Sequence, residues 1–183
     1  LKLKDKDGKP TKYGLHTLDE MLQWAKGKTI LMIDKKDVPL AQLYQIIKRN
    51  NAESSVLISA YEPAEAAFYY AKDKNLMFEV FVSNEEKLKA YEATGVPNEN
   101  MVAYFGQPKK KEFYDLVHAK GMMVFVYTAK VMEKEKNKEM RTQSYRKTIE
   151  EGADILLSDR ALEAYEAIQG LMPAKSSKSK FIK

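Results

Sequence analysis

A short apolar run followed by a helix-forming segment recurs six times between residues 29 and 169, and this repetition restricts the chain more than any other feature. The runs are 29–33, 55–59, 77–82, 101–105, 122–127 and 154–157. Most are continuous apolar stretches with no polar alternation. Strands buried on both faces read this way, because helices cover one face and further core lies on the other. Helix signals punctuate the intervals. Thr17 and Glu20 form a capping box ahead of a helix that ends at Gly27. Helices are predicted over 40–49, over 63–73 with Pro63 opening it, from Ser83 as N-cap to Gly95, over 109–120, over 141–150 and over 160–169. Residues 1–14, with Asp7-Gly8 and Lys9-Pro10, read as polar turns.

Repeated βα units allow two architectures, an open doubly wound sheet or part of a (β/α)8 barrel. No Gly-x-Gly-x-x-Gly and no Walker loop follows any strand, which removes the main nucleotide signatures of the open sheet. The polar residues favour the barrel. Asp34 and Lys36, Ser59 and Tyr61, Ser83, Gln107, Tyr127 and Thr128, and Ser158 and Asp159 all fall just after strand ends. In a barrel those ends converge on one mouth, where active sites sit. The expected fold is therefore a TIM (β/α)8 barrel represented by about six βα units, an incomplete domain over residues 1–173 followed by a Lys/Ser-rich tail at 174–183.

The absence of cysteine excludes disulfides and thiolate chemistry. The formal charge of +5 is concentrated at the ends: residues 1–12 hold five lysines against two aspartates, and 174–183 hold four lysines and no acid. A basic groove for nucleic acid is not indicated. No stretch reaches the roughly 18 to 20 apolar residues of a membrane span.

The stretch Thr29–Asp37 carries the chemistry most visibly. A strand running into Asp34-Lys35-Lys36 sets Asp34 and Lys36 on one face and Lys35 on the other. Such a pair can place a divalent cation beside a phosphate, or be an ordinary solvated salt pair at a strand end. Asp34 alone is a poor oxygen site, since Ca2+ or Mg2+ takes several carboxylates. Asp159 could add one, but Ser-Asp before a helix is more simply an N-cap. Tyr61 and Tyr127 either line a pocket or plug the barrel top. His16 lies before the first helix, and His118 lies deep in a helix opposite the strand tips; neither is placed for proton transfer.

Five pieces, in order, resemble a known family. Leu1–Met21, with Leu-Lys-Leu-Lys-Asp and His-Thr-Leu-Asp-Glu-Met, resembles the stretch before the third strand of the glycerophosphodiester phosphodiesterases. Ile30–Lys36 is similar to their third strand, Leu-Asn-Ile-Glu-Ile-Lys, and Ile58–Tyr61 to the Ser-Ser-Phe after strand four. Val124–Thr128 resembles the Val-x-Val-Trp-Thr of strand seven, and Gly152–Asp159 the Gly-Val-Asp-Gly-Ile-Ile-Thr-Asp of strand eight.

The resemblance implies a metal-dependent hydrolase of lipid and glycerol metabolism that cleaves glycerophosphodiesters to an alcohol and glycerol 3-phosphate, with Ca2+ or Mg2+ as cofactor. It implies Asp34 as a metal ligand and Lys36 as the catalytic phosphate contact. Ser59, Tyr61 and Tyr127, with Lys36, would line the substrate site. The six strands would be family strands three to eight. The family's His-Arg-Gly, Glu-x-Asp and His-Asp motifs, which carry the catalytic histidines and other ligands, do not occur in residues 1–183. An N-terminal segment of the same protein is therefore the implied partner, beside a small-molecule substrate; without it the fragment is expected to be inactive. A homodimer stays open, and a periplasmic or secreted location is preferred over a cytoplasmic one. Departures from the family are Asp34 for glutamate, His16 for proline, Tyr127 for tryptophan, Ser158 for threonine, and Lys35 for an apolar residue. The Lys35 stem is expected to carry its charge out to solvent. Residues 130–150 read as a lid or a solvated loop. The alternatives are a phospholipase D-like relative and a non-catalytic phosphate-binding barrel or accessory subunit.

Overall fold

The computed structural model describes residues 1–173; the tail expected at 174–183 lies outside the described residues. The first fourteen residues are a hairpin, contrary to the reading of polar turns. Strand β1 (Lys2–Lys4) pairs antiparallel with β2 (Pro10–Gly14) around a turn at Asp5–Gly8, where Asp5 accepts the amides of Asp7 and Lys9. Both strands are largely exposed, so no apolar pattern marked them.

The remaining strands are β3 (Leu31–Ile33), β4 (Val56–Ala60), β5 (Met77–Phe81), β6 (Met101–Phe105), β7 (Met123–Tyr127) and β8 (Ile155–Leu157). They form one parallel sheet in the order β3-β4-β5-β6-β7-β8. Helices α1 (Leu18–Ala25), α2 (Leu40–Arg49), α3 (Pro63–Lys72), α4 (Glu85–Glu92), α5 (Lys111–Ala119), α6 (Lys138–Glu150) and α7 (Ala161–Ile168) flank it. Two features exclude a doubly wound sheet. Strand order follows chain order without a switch point. One sheet face (Ile33, Ile58, Phe78, Val80, Ala103, Val124) packs against helix residues such as Leu43, Ile47, Tyr69 and Leu88. The opposite face holds a second cluster (Leu57, Met77, Val102, Phe125) built from strand residues alone. Helices on one side and an inner apolar face on the other are the layers of a barrel wall.

The barrel is not closed. The sheet is a curled arc of six strands, and β3 and β8 each have a single neighbour. A groove of ≈ 1040 Å³ runs beside β8, lined among others by Met123, Ile155 and Leu157 from the strands and by Tyr165 and Ile168 from α7.

Local signals were read correctly at several ends. The Thr17–Glu20 capping box is present, with Thr17 N–H donating to Glu20 at 2.7 Å, and Pro63 opens α3. Other ends differ. The N-cap of α4 is Asn84, one residue after Ser83, and its side chain accepts from Lys87 N–H at 2.9 Å. Helix α6 starts at Lys138, under an Asn137 cap that takes the amides of Glu139 and Met140. Asp159 caps nothing: α7 begins two residues later, behind Arg160, without a side-chain cap. The 130–150 segment is a largely exposed loop up to residue 137 and a helix from Lys138 on. It is the crossover from β7 to β8, with Met132 buried beside Tyr145 and Ala164, and Arg141 of α6 held in a two-pronged ion pair by Glu163 of α7.

Candidate functional site

The ladder between β3 and β4 ends at Ile33 and Ile58, and the next residues of both strands project past it. Asp34 follows β3 directly. Its carboxylate takes the Lys36 ammonium on one oxygen and the Tyr61 hydroxyl on the other. Partial burial pushes the Asp34 carboxyl up, but the hydrogen bonds from Lys36 and Tyr61 outweigh it and hold the group below the usual carboxylate range. The Tyr61 phenol is pushed up to about 12, first by its hydrogen bond to Asp34, then by burial and neighbouring acids.

Lys36 reaches Asp34 by a different geometry from the one expected. It lies beyond the strand, in a turn with φ 48°, so strand alternation does not set its direction. A non-glycine residue in this region costs about 1 kcal/mol or more. The Lys36 side chain is 75% exposed, which leaves its ammonium free to exchange Asp34 for an incoming anion. Lys35 is the opposite case. Its side chain is only 13% exposed and its ammonium stays in the protein, 3.1 Å from Glu65 of α3 and 5.5 Å from the Tyr61 ring centre. The expected run out to solvent does not occur because Glu65 supplies a partner first.

The inner face behind this rim is laid out in rows by the strand register. Ser59 pairs with Glu79 and Glu79 with Val102. Ser59 is buried and donates its hydroxyl hydrogen bond to the Glu79 carboxylate, itself 3% exposed. Burial pushes the Glu79 carboxyl above its usual range, the Ser59 bond pulls it back by less, and the Asp34 charge adds to the rise. The next row is aromatic. Tyr61 stacks on Phe81 at 4.8 Å, Phe81 meets Tyr104 at 4.9 Å, and Tyr104 meets Phe125 edge-on at 5.8 Å.

The expected site residues thus divide. Asp34, Lys36 and Tyr61 come together; Ser59 stands beside them on the inner face but is engaged with Glu79. Tyr127 closes β7 several strands away, with Lys130 over its ring at 6.0 Å, and is outside the Asp34 cluster. Near it, Glu133 gathers the hydroxyls of Thr128 (2.7 Å) and Ser158 (2.6 Å) and the Asp159 amide (3.1 Å), tying the crossover to the tips of β7 and β8. His118 pairs with Asp154 at 2.9 Å, and Asp154 also accepts Val124 N–H at the start of β7, the end opposite the strand tips. His16 is exposed beside Glu20.

Sequence reasoning passed over Glu65, Glu79 and Glu133. Glu79 did leave a signal: it is the one charge inside Met-Phe-Glu-Val-Phe. Chemically the rim offers a carboxylate, an exposed ammonium and a phenol. Among the described residues no three His, Asp or Glu side chains are grouped to hold a metal ion. One carboxylate does not satisfy Ca2+ or Mg2+, which takes six or more oxygens, so this chain's residues do not make a metal site by themselves.

The chain resembles solved structures. It is 42% identical to a glycerophosphoryl diester phosphodiesterase from Parabacteroides distasonis, with a TM-score of 0.86 over 98% of this chain and 64% of that one. A protein from Silicibacter pomeroyi, provisionally named for the same activity, is 14% identical with a TM-score of 0.59, over 84% of this chain and 56% of that one; this likeness shows the fold alone. The chain therefore spans less than two thirds of the length of either structure. No family model and no curated protein matches it. Its fold is the partial, C-terminal-like half-barrel of the glycerophosphodiester phosphodiesterases.

Proposed function

We propose that the full-length protein hydrolyses glycerophosphodiesters to an alcohol and glycerol 3-phosphate, and that this chain supplies the wall carrying family strands three to eight. The observation that supports the reading most is the 42% identity to the Parabacteroides enzyme along almost the whole chain. In this reading Lys36 leaves Asp34 and donates to a phosphoryl oxygen, a contact that strengthens as negative charge builds there. Asp34 faces the same rim, its anionic form favoured by Tyr61 and Lys36. It would be one of several oxygen ligands of a divalent cation, the others coming from the segment this chain does not contain. Such an ion, when bound, neutralises phosphate charge. Ser59 and Tyr61 border the substrate. Tyr127 would border the substrate from the far side of the mouth.

The test is release of glycerol 3-phosphate by the full-length protein from a panel of glycerophosphodiesters and lysophospholipids. Turnover of the small diesters supports the reading. Turnover confined to lysophospholipids would reassign the protein to the phospholipase D-like relatives. No turnover on either class, with or without Ca2+ or Mg2+, would leave a binding or accessory role.

A further inference from the structure

We propose that Lys35 and Glu65 are positioning residues that clamp the tips of β3 and β4, and so set Tyr61 and Asp34 against each other. The proposal rests on the reading of Asp34 as a site residue.

The need for a clamp follows from the ladder. Strand β3 is three residues long, has one neighbour, and pairs no further than Ile33 with Ile58. Beyond that point strand pairing no longer fixes the spacing of the two tips, yet the Asp34–Tyr61 contact is made there. Glu65 bridges the gap with both carboxylate oxygens. One accepts the Tyr61 backbone N–H at 2.8 Å, and the other takes the Lys35 ammonium at 3.1 Å. Lys35 also donates to the Lys36 carbonyl at 3.4 Å and lies over the Tyr61 ring. The phenol is therefore set from three directions: its backbone by Glu65, one ring contact by Lys35, and a stacked Phe81 at 4.8 Å.

Glu65 sits in the first turn of α3, and holding a preceding amide is ordinary helix-start behaviour. That accounts for one oxygen. It does not account for the lysine, which an apolar residue packed under α3 would replace at no cost to the helix. The ion pair is largely enclosed, with side chains 13% and 19% exposed, so solvent screens it less than a surface pair. An enclosed pair of this kind contributes chiefly register between the elements it joins. Here the elements are the two whose tips carry the carboxylate and the phenol.

The experiment uses the full-length protein and the variants Lys35→Met, Glu65→Gln and Lys35→Arg. Lys35→Met keeps the stem and the helix start; Glu65→Gln keeps an acceptor for Tyr61. Two quantities are read: the Tyr61 ring resonances, assigned by Tyr61→Phe and displaced by the stacked Phe81, and kcat/KM on a glycerophosphodiester. Lys35→Met and Glu65→Gln are expected to move the Tyr61 resonances and to lower kcat/KM roughly 10- to 100-fold, the scale of a slightly misplaced group. Lys35→Arg restores both. Unmoved resonances in Lys35→Met, or moved resonances with unchanged kcat/KM, overturn the clamp. Asp34→Ala separates this from the underlying reading: turnover that survives it defeats the site and the clamp's role with it. Turnover lost in Asp34→Ala but intact in Lys35→Met defeats the clamp alone.

Discussion

The Ser59 hydroxyl donates to the Glu79 carboxylate between neighbouring strands, on the sheet face that no helix covers among the described residues. Glu79 is thereby held in an apolar wall with a hydroxyl, and no cation, as its hydrogen-bond partner among the described residues. Its carboxyl is raised by burial, so the folded state holds the proton more tightly than the unfolded chain. The sign follows: ionised Glu79 opposes folding, the penalty fades as pH falls through the raised folded-state range, and it is gone below the ordinary value of 4.5. Glu79→Gln is expected to raise the melting temperature at pH 7 to 8. Melting curves of the two proteins should converge near pH 4. A destabilised Glu79→Gln at pH 8 would mean that the charge itself has a stabilising partner.

Asp19 of α1 behaves in the opposite sense. The Arg49 side chain donates to it at 2.8 Å and Asn50 at 2.6 Å, and these bonds hold its carboxyl at about 2 against 3.8 for the free group. The contribution is present above the free value and is lost as pH falls through about 2. Asp19→Asn should lower the melting temperature at pH 7 and leave it unchanged in strong acid. An equal loss at both pH values would place the effect in packing instead.

Gly152, between α6 and β8, sits at φ 126°, and a Cβ there would lie 2.8 Å from Cβ of the buried Tyr114. Both the backbone and the tyrosine resist the change. Gly152→Ala is expected to cost about 2 to 4 kcal/mol, read as a lower denaturant midpoint at unchanged slope.

Lys36 combines an unfavourable backbone with an exposed side chain. Lys36→Gly should stabilise the fold by about 1 kcal/mol or less, since glycine enters this region freely. The same change should lower kcat/KM of the full-length protein. A gain in stability with intact turnover would remove Lys36 from the site.

Asp34→Ala is expected to abolish turnover in the full-length protein while moving the melting temperature little, because the residue lies on an exposed rim. Lys36→Ala should act mainly through kcat/KM. Normal turnover of Asp34→Ala at saturating Ca2+ would sink that assignment.

The wall of the barrel was legible because it is written in local chemistry. Continuous apolar runs such as Val56-Leu57-Ile58 and helix starts such as Thr17-Glu20 need no distant partner to be recognised. The hairpin at residues 2–14 was not legible: its strands bury almost nothing, and its turn is set by Asp5 side-chain bonds that resemble any polar loop. Asp34 and Tyr61 could each be picked out as strand-tip polar residues, but their contact joins positions 27 apart, and only the folded register reveals it. Lys35 looked like a misplaced charge until Glu65, on another element, was brought beside it. Ser83 and Asp159 have the composition of helix caps. The Asn84 side chain caps α4 one residue on, and α7 starts behind Arg160, one residue past Asp159.

The two bare margins of the sheet have a practical consequence for anyone handling the chain by itself. Among the described residues β3 and β8 have no strand on their outer sides, and with Met32 exposed and the apolar channel beside β8 they form a template for an extended peptide of suitable register. Purified alone, such an arc would recruit its own copies as concentration rises.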